Sequence, residues 1–169
     1  GPPLYFILLQ RSPFGQALPV QDAWRSIMGL NFALLLVYGG LVAAFGVAAV
    51  ALAVLPTALV ASWVGGWLFF VQHQFEDTHW ETSDEWTLQR AALSGSSYYV
   101  MPKVLQWFTG NIGLHHIHHL NPRIPNYRLQ SCLDDEPALG TLSRLTIRES
   151  LQCIGLALWN PAQRKLVSF

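Results

Sequence analysis

Between Arg25 and Glu76 lie fifty residues, Ser26 to Phe75, without a single Asp, Glu, Lys or Arg. A water-exposed structure of that length would carry charge somewhere, so the run points to immersion in lipid. As one helix it would be about 75 Å long, whereas a bilayer core accepts about 20 helical residues, or 30 Å. Two membrane spans joined by a tight turn are therefore expected. Asn31 to Ala49 supplies the first and about Leu55 to His73 the second, with Pro56 in the first turn of that second helix, where proline is tolerated. Gly39, Gly40, Gly65 and Gly66 would let backbones approach closely. Trp63 and Trp67 suit either interfacial anchoring or a wall against a bound ligand.

Charge placement orders the rest of the chain. Ten basic and ten acidic residues leave no net charge, so there is no basic excess to neutralise phosphates, and a nucleic-acid partner is excluded. Charged residues make up 12% of the chain, about half the usual share, which argues against disorder and against an ordinary soluble surface. All ten basic residues flank the uncharged run, and two spans return the chain to its starting side. The positive-inside rule then places both flanks in the cytoplasm. The alternative is a helical hairpin buried inside a soluble protein. The expected fold class is all-α: an integral-membrane helical hairpin followed by a helical, metal-binding cytoplasmic cap. Residues 1–25 form a lead-in, 26–75 the two spans and 76–169 the cap.

The opening GPPLYFILLQR lacks the basic start and cleavage site of a signal peptide and reads as a chain beginning inside a longer protein. Cys132 and Cys153 have no CxxC spacing, so they indicate neither a zinc ribbon nor a disulfide framework. In the cap, Glu76 to Glu85 reads as the acidic exit from the membrane, and Thr87 to Leu93 as a short helix stopped by Ser94-Gly95-Ser96-Ser97. Tyr98 to Phe108 is apolar and aromatic, suited to an interface, with Pro102 limiting any helix. Asn121 to Asn126, with two prolines, is a turn. Leucine and isoleucine spacing from Pro137 to Leu158 predicts one helix, with Glu136 and Arg164 near ends that suit their charges.

Histidine carries the chemistry. Four of the six fall within five residues, as His115, His116, His118 and His119. On a helix, positions 115, 118 and 119 share one face and His116 points elsewhere. Converging neutral imidazoles suit Zn, Cu, Fe or Ni rather than Mg or Ca, the plainer alternative being a solvated, histidine-rich turn. His73 ends the second span, where water or a carbonyl would satisfy it equally well as a metal. His79, among acidic residues, is expected to be solvated.

These residues carry a resemblance. HHIHH set in GNIGLHHIHHLNPRIPNY, preceded by WLFFVQHQFE at the end of a span, resembles the integral-membrane fatty acid desaturase family, and its acyl-lipid branch in particular. GPPLYFILLQR, DEW, LSGSSYY and PKVLQWFTGNIG extend the likeness over nearly the whole chain. The resemblance implies two non-haem iron ions that activate O₂ and remove two hydrogens from a lipid-linked acyl chain. It implies metal ligation by His115, His118 and His119, as the third histidine box, and by His73. An apolar substrate tunnel would draw on Trp67, Phe70, Trp107 and Phe108, ordinary packing being the alternative for each. Ferredoxin or a cytochrome b5 would deliver two electrons, with Lys103, Arg123 and Arg128 meeting either that donor or lipid phosphates.

Two departures follow. The first two histidine boxes of the family are absent, so the chain resembles the C-terminal half of a desaturase, expected by itself to be inactive or to bind one metal weakly. Some relatives carry an Asn one turn before the late-span histidine, holding a metal-bound water. Phe69 stands there in this chain, leaving Gln72, Gln74 or Asn111 as substitutes. A membrane di-iron hydroxylase or ketolase, and a non-catalytic histidine-rich protein that binds or carries zinc or copper, are the alternative readings. An inert membrane hairpin is a third. The transport reading predicts polar residues inside the spans, which hold little beyond Asn31, Thr57 and Ser62.

Overall fold

Gly46 is where the uncharged run divides. In the computed structural model, which describes residues 12, 20–81 and 86–168, it stands alone between helix α1 (Val20–Phe45) and helix α2 (Val47–His73). Its φ of 81° lies in the left-handed region that glycine adopts without penalty, and its N–H reaches the carbonyl of Val42 at 2.8 Å, the usual bond of a left-handed helix cap. The opening GPPLYFILLQR, most of the expected lead-in and Thr82 to Glu85 lie outside the described residues.

Both helices are long and apolar enough to cross a membrane, and their most apolar stretches bury nothing within the chain. Phe32, Leu35 and Leu52 stand exposed along them. Such a surface is stable where the surroundings are themselves apolar. The span boundaries differ from the expected ones. The first helix begins eleven residues before Asn31 and ends four before Ala49, because the left-handed turn falls at Gly46. Pro56 accordingly lies inside α2 rather than in its first turn. Lacking an N–H, it removes one hydrogen bond of the ladder; one residue on, Thr57 Oγ1 donates to the carbonyl of Ala53 at 2.8 Å. A Cβ placed on Gly39, Gly40 or Gly65 meets no atom within 4 Å, so the close backbone approach expected there is not made among the described residues.

The chain falls into two units, residues 1–66 and 67–169, and the second begins with the last two turns of α2. There the short helix expected from Thr87 to Leu93 is α3 (Leu88–Ser94), capped by Thr87, whose Oγ1 accepts from the N–H of Arg90. Next come β1 (Tyr98–Val100) and α4 (Lys103–Phe108), then a 3₁₀ turn at Ile112–Leu114 that leads directly into α5 (His115–Leu120). The Asn121 to Asn126 segment is irregular, as its prolines require, and is followed by α6 (Leu129–Asp135).

The single helix expected from Pro137 to Leu158 is not formed. That stretch is a 3₁₀ turn (Pro137–Thr141), strand β2 (Arg144–Thr146), the single turn α7 (Ile147–Ser150), a second 3₁₀ turn (Leu151–Gly155) and the start of β3 (Leu156–Asn160). Ser143, at φ 44°, breaks any helix there, and the backbone beyond it pairs in parallel with β1, Tyr99 opposite Leu145. Thr146 then starts α7 with a reciprocal capping box to Glu149. The leucine spacing serves two clusters instead of one helix face. Leu145 packs with Val71, Phe75, Tyr99 and Cys153, whereas Leu139 packs against Leu114, Ile117 and Leu129. Glu136 and Arg164 therefore do not share a helix. Strand β4 (Lys165–Ser168) pairs antiparallel with β3, and the described residues, although predominantly helical, carry two small sheets.

This second unit holds the end of α2 in place. The N–H of Leu166 donates to the carbonyl of Glu76, Gln74 Nε2 donates to the carbonyl of Leu156 at 2.6 Å, and Lys165 pairs with Asp77 at 2.9 Å. Tyr99, in the core, bonds through its hydroxyl to Ser150 Oγ at 3.0 Å.

Gly113 fills a position with no room for a side chain. A Cβ there would collide with the backbone oxygen of Tyr99 and with the amide of Gln106. Gly113→Ala is expected to destabilise the chain by about 3 kcal/mol, the upper range for overpacking against backbone. Thermal unfolding in detergent measures this. Gly39→Ala, at an open position, should show no loss.

Candidate metal centre

Three imidazoles from two helices meet at one point. α2 ends on His73, and the turn at Ile112–Leu114 delivers His115 as the first residue of α5, with His119 one turn further on the same face. Gln72 sets the spacing between them. Its carbonyl accepts from the N–H of Ser97 at 2.9 Å, and its Nε2 donates to the carbonyl of Ile112 at 2.8 Å. One buried side chain thus joins the end of α2 to the entry of α5.

The Nε2 atom of His115 lies 3.0 Å from His73 Nε2 and 3.0 Å from His119 Nε2. All three donor atoms fall within 4.8 Å of one another. At most one proton sits on His115 Nε2, so it can make one hydrogen bond to its two neighbours but not both. A shared cation satisfies all three. Two nitrogens each about 2.1 Å from one ion and at right angles are about 3.0 Å apart, so the spacing fits a metal. His73 Nδ1 stands 3.3 Å from the carbonyl of Gly95, a partner that leaves Nε2 with a free lone pair. His115 Nδ1 is buried with no protein partner among the described residues. The three histidines form a group that could hold a metal ion.

Burial favours the neutral form of His115 and His119. Desolvation, and then the neighbouring His119, His73, His118 and His116, bring His115 down to about 3. Burial, with His73 and His118 nearby, lowers His119 in the same direction. Uncharged imidazoles are the form that binds metal.

The other singled-out residues are placed as follows. His118 lies beside the group, its ring 5.8 Å from that of His115, and is not among the three that converge. His116 points away, as expected from its position on α5. It is fully buried, contacts the carbonyl of Leu139 through Nε2 at 3.1 Å and faces the ring of Tyr98; burial lowers it to about 4. His79 is half-buried and stands 3.2 Å from Glu81 Oε1, so it is not the freely solvated ring expected. It lines a cavity of about 360 Å³ with His73, Trp80, Trp159 and Leu166.

Phe69 packs its ring 4.9 Å from that of His73. The amide donors of Gln72, Gln74 and Asn111 go to the carbonyls of Ile112, Leu156 and Asn126, while Gln72 Oε1 is buried without a protein partner among the described residues. Trp67 and Phe70 pack against the cluster around Val71. Trp107 and Phe108 are largely exposed, as are Lys103, Arg123 and Arg128. Gly95 and Gly113 had no signal in the sequence, because one acts through a backbone carbonyl and the other through the absence of a side chain.

The family model of the fatty acid desaturases matches residues 3–149. A fatty acid desaturase of Bacillus subtilis (strain 168) is 44% identical over 114 residues, which are 68% of this chain and 32% of that protein. The chloroplastic omega-6 fatty acid desaturase of Brassica napus is 28% identical over 85 residues, 43% of this chain and 19% of the relative. That of Glycine max is 33% identical over 61 residues, 36% of this chain and 14% of the relative. The chain thus spans about a third of the bacterial relative and a fifth or less of these plant relatives. No solved structure matches it. With the family's sequence pattern running through both helices and the histidine cluster, the chain belongs to the fatty acid desaturase family.

Proposed function

We propose that this chain is the part of a membrane fatty acid desaturase that carries its third histidine box, and that the whole protein introduces a double bond into a lipid-linked acyl chain. The convergence of His73, His115 and His119 at the end of a long apolar helix carries this reading. The donor set is all imidazole, which suits iron, and His118 lies beside it, its ring 5.8 Å from that of His115. Iron held there supplies a redox couple able to use O₂ against an unactivated C–H bond, which zinc lacks. Four imidazoles do not complete two iron sites. The remaining ligands would come from elsewhere in the protein, and this chain alone would be inactive.

The chain's own residues do three things in this scheme. Gly95 orients His73 through its carbonyl, fixing the tautomer that presents Nε2. The rings of Phe69, Trp67 and Phe70 put apolar surface on the adjoining turns of α2, excluding water and suiting an acyl chain. Helices α1 and α2 cross the bilayer as two spans, with 1–25 and the 76–169 region on the cytoplasmic side. Removing two hydrogens while reducing O₂ to two waters takes two further electrons and two protons per turnover. A ferredoxin or cytochrome b5-type donor would supply those electrons from the cytoplasm.

In the full-length protein, His73→Ala, His115→Ala and His119→Ala should each abolish new double bonds when expressed in a desaturase-deficient host, read by fatty acid analysis. Unchanged lipid unsaturation in all three would overturn the proposal, and an inserted oxygen in the products would show a hydroxylase instead. His116→Ala should separate from these. Losing its buried hydrogen bond is expected to cost about 1–3 kcal/mol of stability, with the iron content of the folded protein retained. His115→Ala should lower iron content, measured by elemental analysis.

A further inference from the structure

Helix α4 is built inside out. Its buried residue is the polar Gln106, 8% exposed, whereas Trp107 and Phe108 are 74% and 73% exposed, and Val104 shares their face. In water that arrangement leaves aromatic surface solvated and hides an amide; against an apolar phase it is the arrangement expected. The Trp107 and Phe108 rings meet edge to face, their centroids 5.0 Å apart, as one unit. A third exposed aromatic residue follows a segment tied to the end of α4. Asn111 Nδ2, just beyond the end of α4, donates to the carbonyl of Asn126 at 2.9 Å, and the adjacent Tyr127 is 71% exposed.

We propose that α4 and the Asn126–Arg128 turn rest in the headgroup layer of the same bilayer that α2 crosses, with a lipid surface as their partner. Two observations select lipid over a protein partner. The first is depth. Gln72, the residue before the end of the 27-residue apolar helix α2, bonds directly to Ile112, and Asn111 bonds through its N–H to the carbonyl of Gln106 inside α4. Two hydrogen bonds thus separate α4 from the end of a span, which is where aromatic side chains anchor a protein at the membrane interface. The second is charge. From Trp86 to Leu133 the chain has no Asp or Glu, whereas Lys103 at the start of α4, Arg123, and Arg128 in the Asn126–Arg128 turn are exposed. Cations on flexible stems beside inserted rings complement lipid phosphates.

The inference rests on the reading of α2 as a membrane span, and the test separates the two. Nitroxide labels are placed on Trp107→Cys, Phe108→Cys, Leu52→Cys and Gln130→Cys variants of the full-length protein in phosphatidylcholine–phosphatidylglycerol nanodiscs, with the signal of the unsubstituted protein subtracted. Collision with O₂ is compared with collision with a water-soluble nickel complex. The proposal expects O₂ to exceed nickel at 107, 108 and the mid-span 52, with the order reversed at 130 on α6. Nickel access at 107 and 108 with 52 still in lipid overturns the interface proposal alone. Shielding of 107 and 108 from both reagents overturns it too, by showing that protein covers them. Nickel access at 52 overturns the span as well.

Discussion

The candidate centre depends on the doubly held Gln72. It is buried at the penultimate position of α2, its carbonyl bound to Ser97 and its side-chain amide to Ile112. His73 follows it directly, and His115 begins three residues after Ile112. The two histidines are forty-two positions apart in sequence, yet their Nε2 atoms stand 3.0 Å apart because this one side chain joins their segments. A buried amide with good partners is directional where apolar packing is not, and ligand placement needs direction.

Around that tie the chain divides its physical tasks. The two long helices bury nothing within their most apolar stretches and depend on an apolar solvent. The second unit has its own small core, in which Leu114 and Ile117 flank His115 and His116 and hold α5 against α6. Its C-terminal hairpin returns to the end of α2 through Leu166 and Lys165, beyond the stretch that matches the family. The metal-ligating candidates His73, His115 and His119 all lie within this second unit.

Much of this was legible before any coordinates. Fifty uncharged residues announce apolar helices, and HHIHH announces a shared imidazole face, because both follow from chain-local rules of composition and period. Elsewhere those rules admit two answers. Proline suits a helix start, yet Pro56 sits mid-helix. Leu139, Leu142, Leu145, Leu151 and Ile154 have helical spacing, but Leu139 and Leu145 point into different clusters from a turn and a strand. A positive φ at Ser143 decides between those outcomes, and serine does not advertise it.

The sequence by itself determined the family, the apolar helices and the residue types able to hold a metal. These are properties of side-chain chemistry and nearest neighbours, and they survive without knowing where the chain goes. Only the tertiary structure decided that His73 joins His115 and His119 while His118, on their helix face, stands aside. It alone gave Gly95 and Gly113 their roles. The reason is that convergence of donor atoms depends on hydrogen bonds and close approaches between segments far apart in sequence. Backbone carbonyls and missing side chains take part in these, and neither leaves a pattern to read.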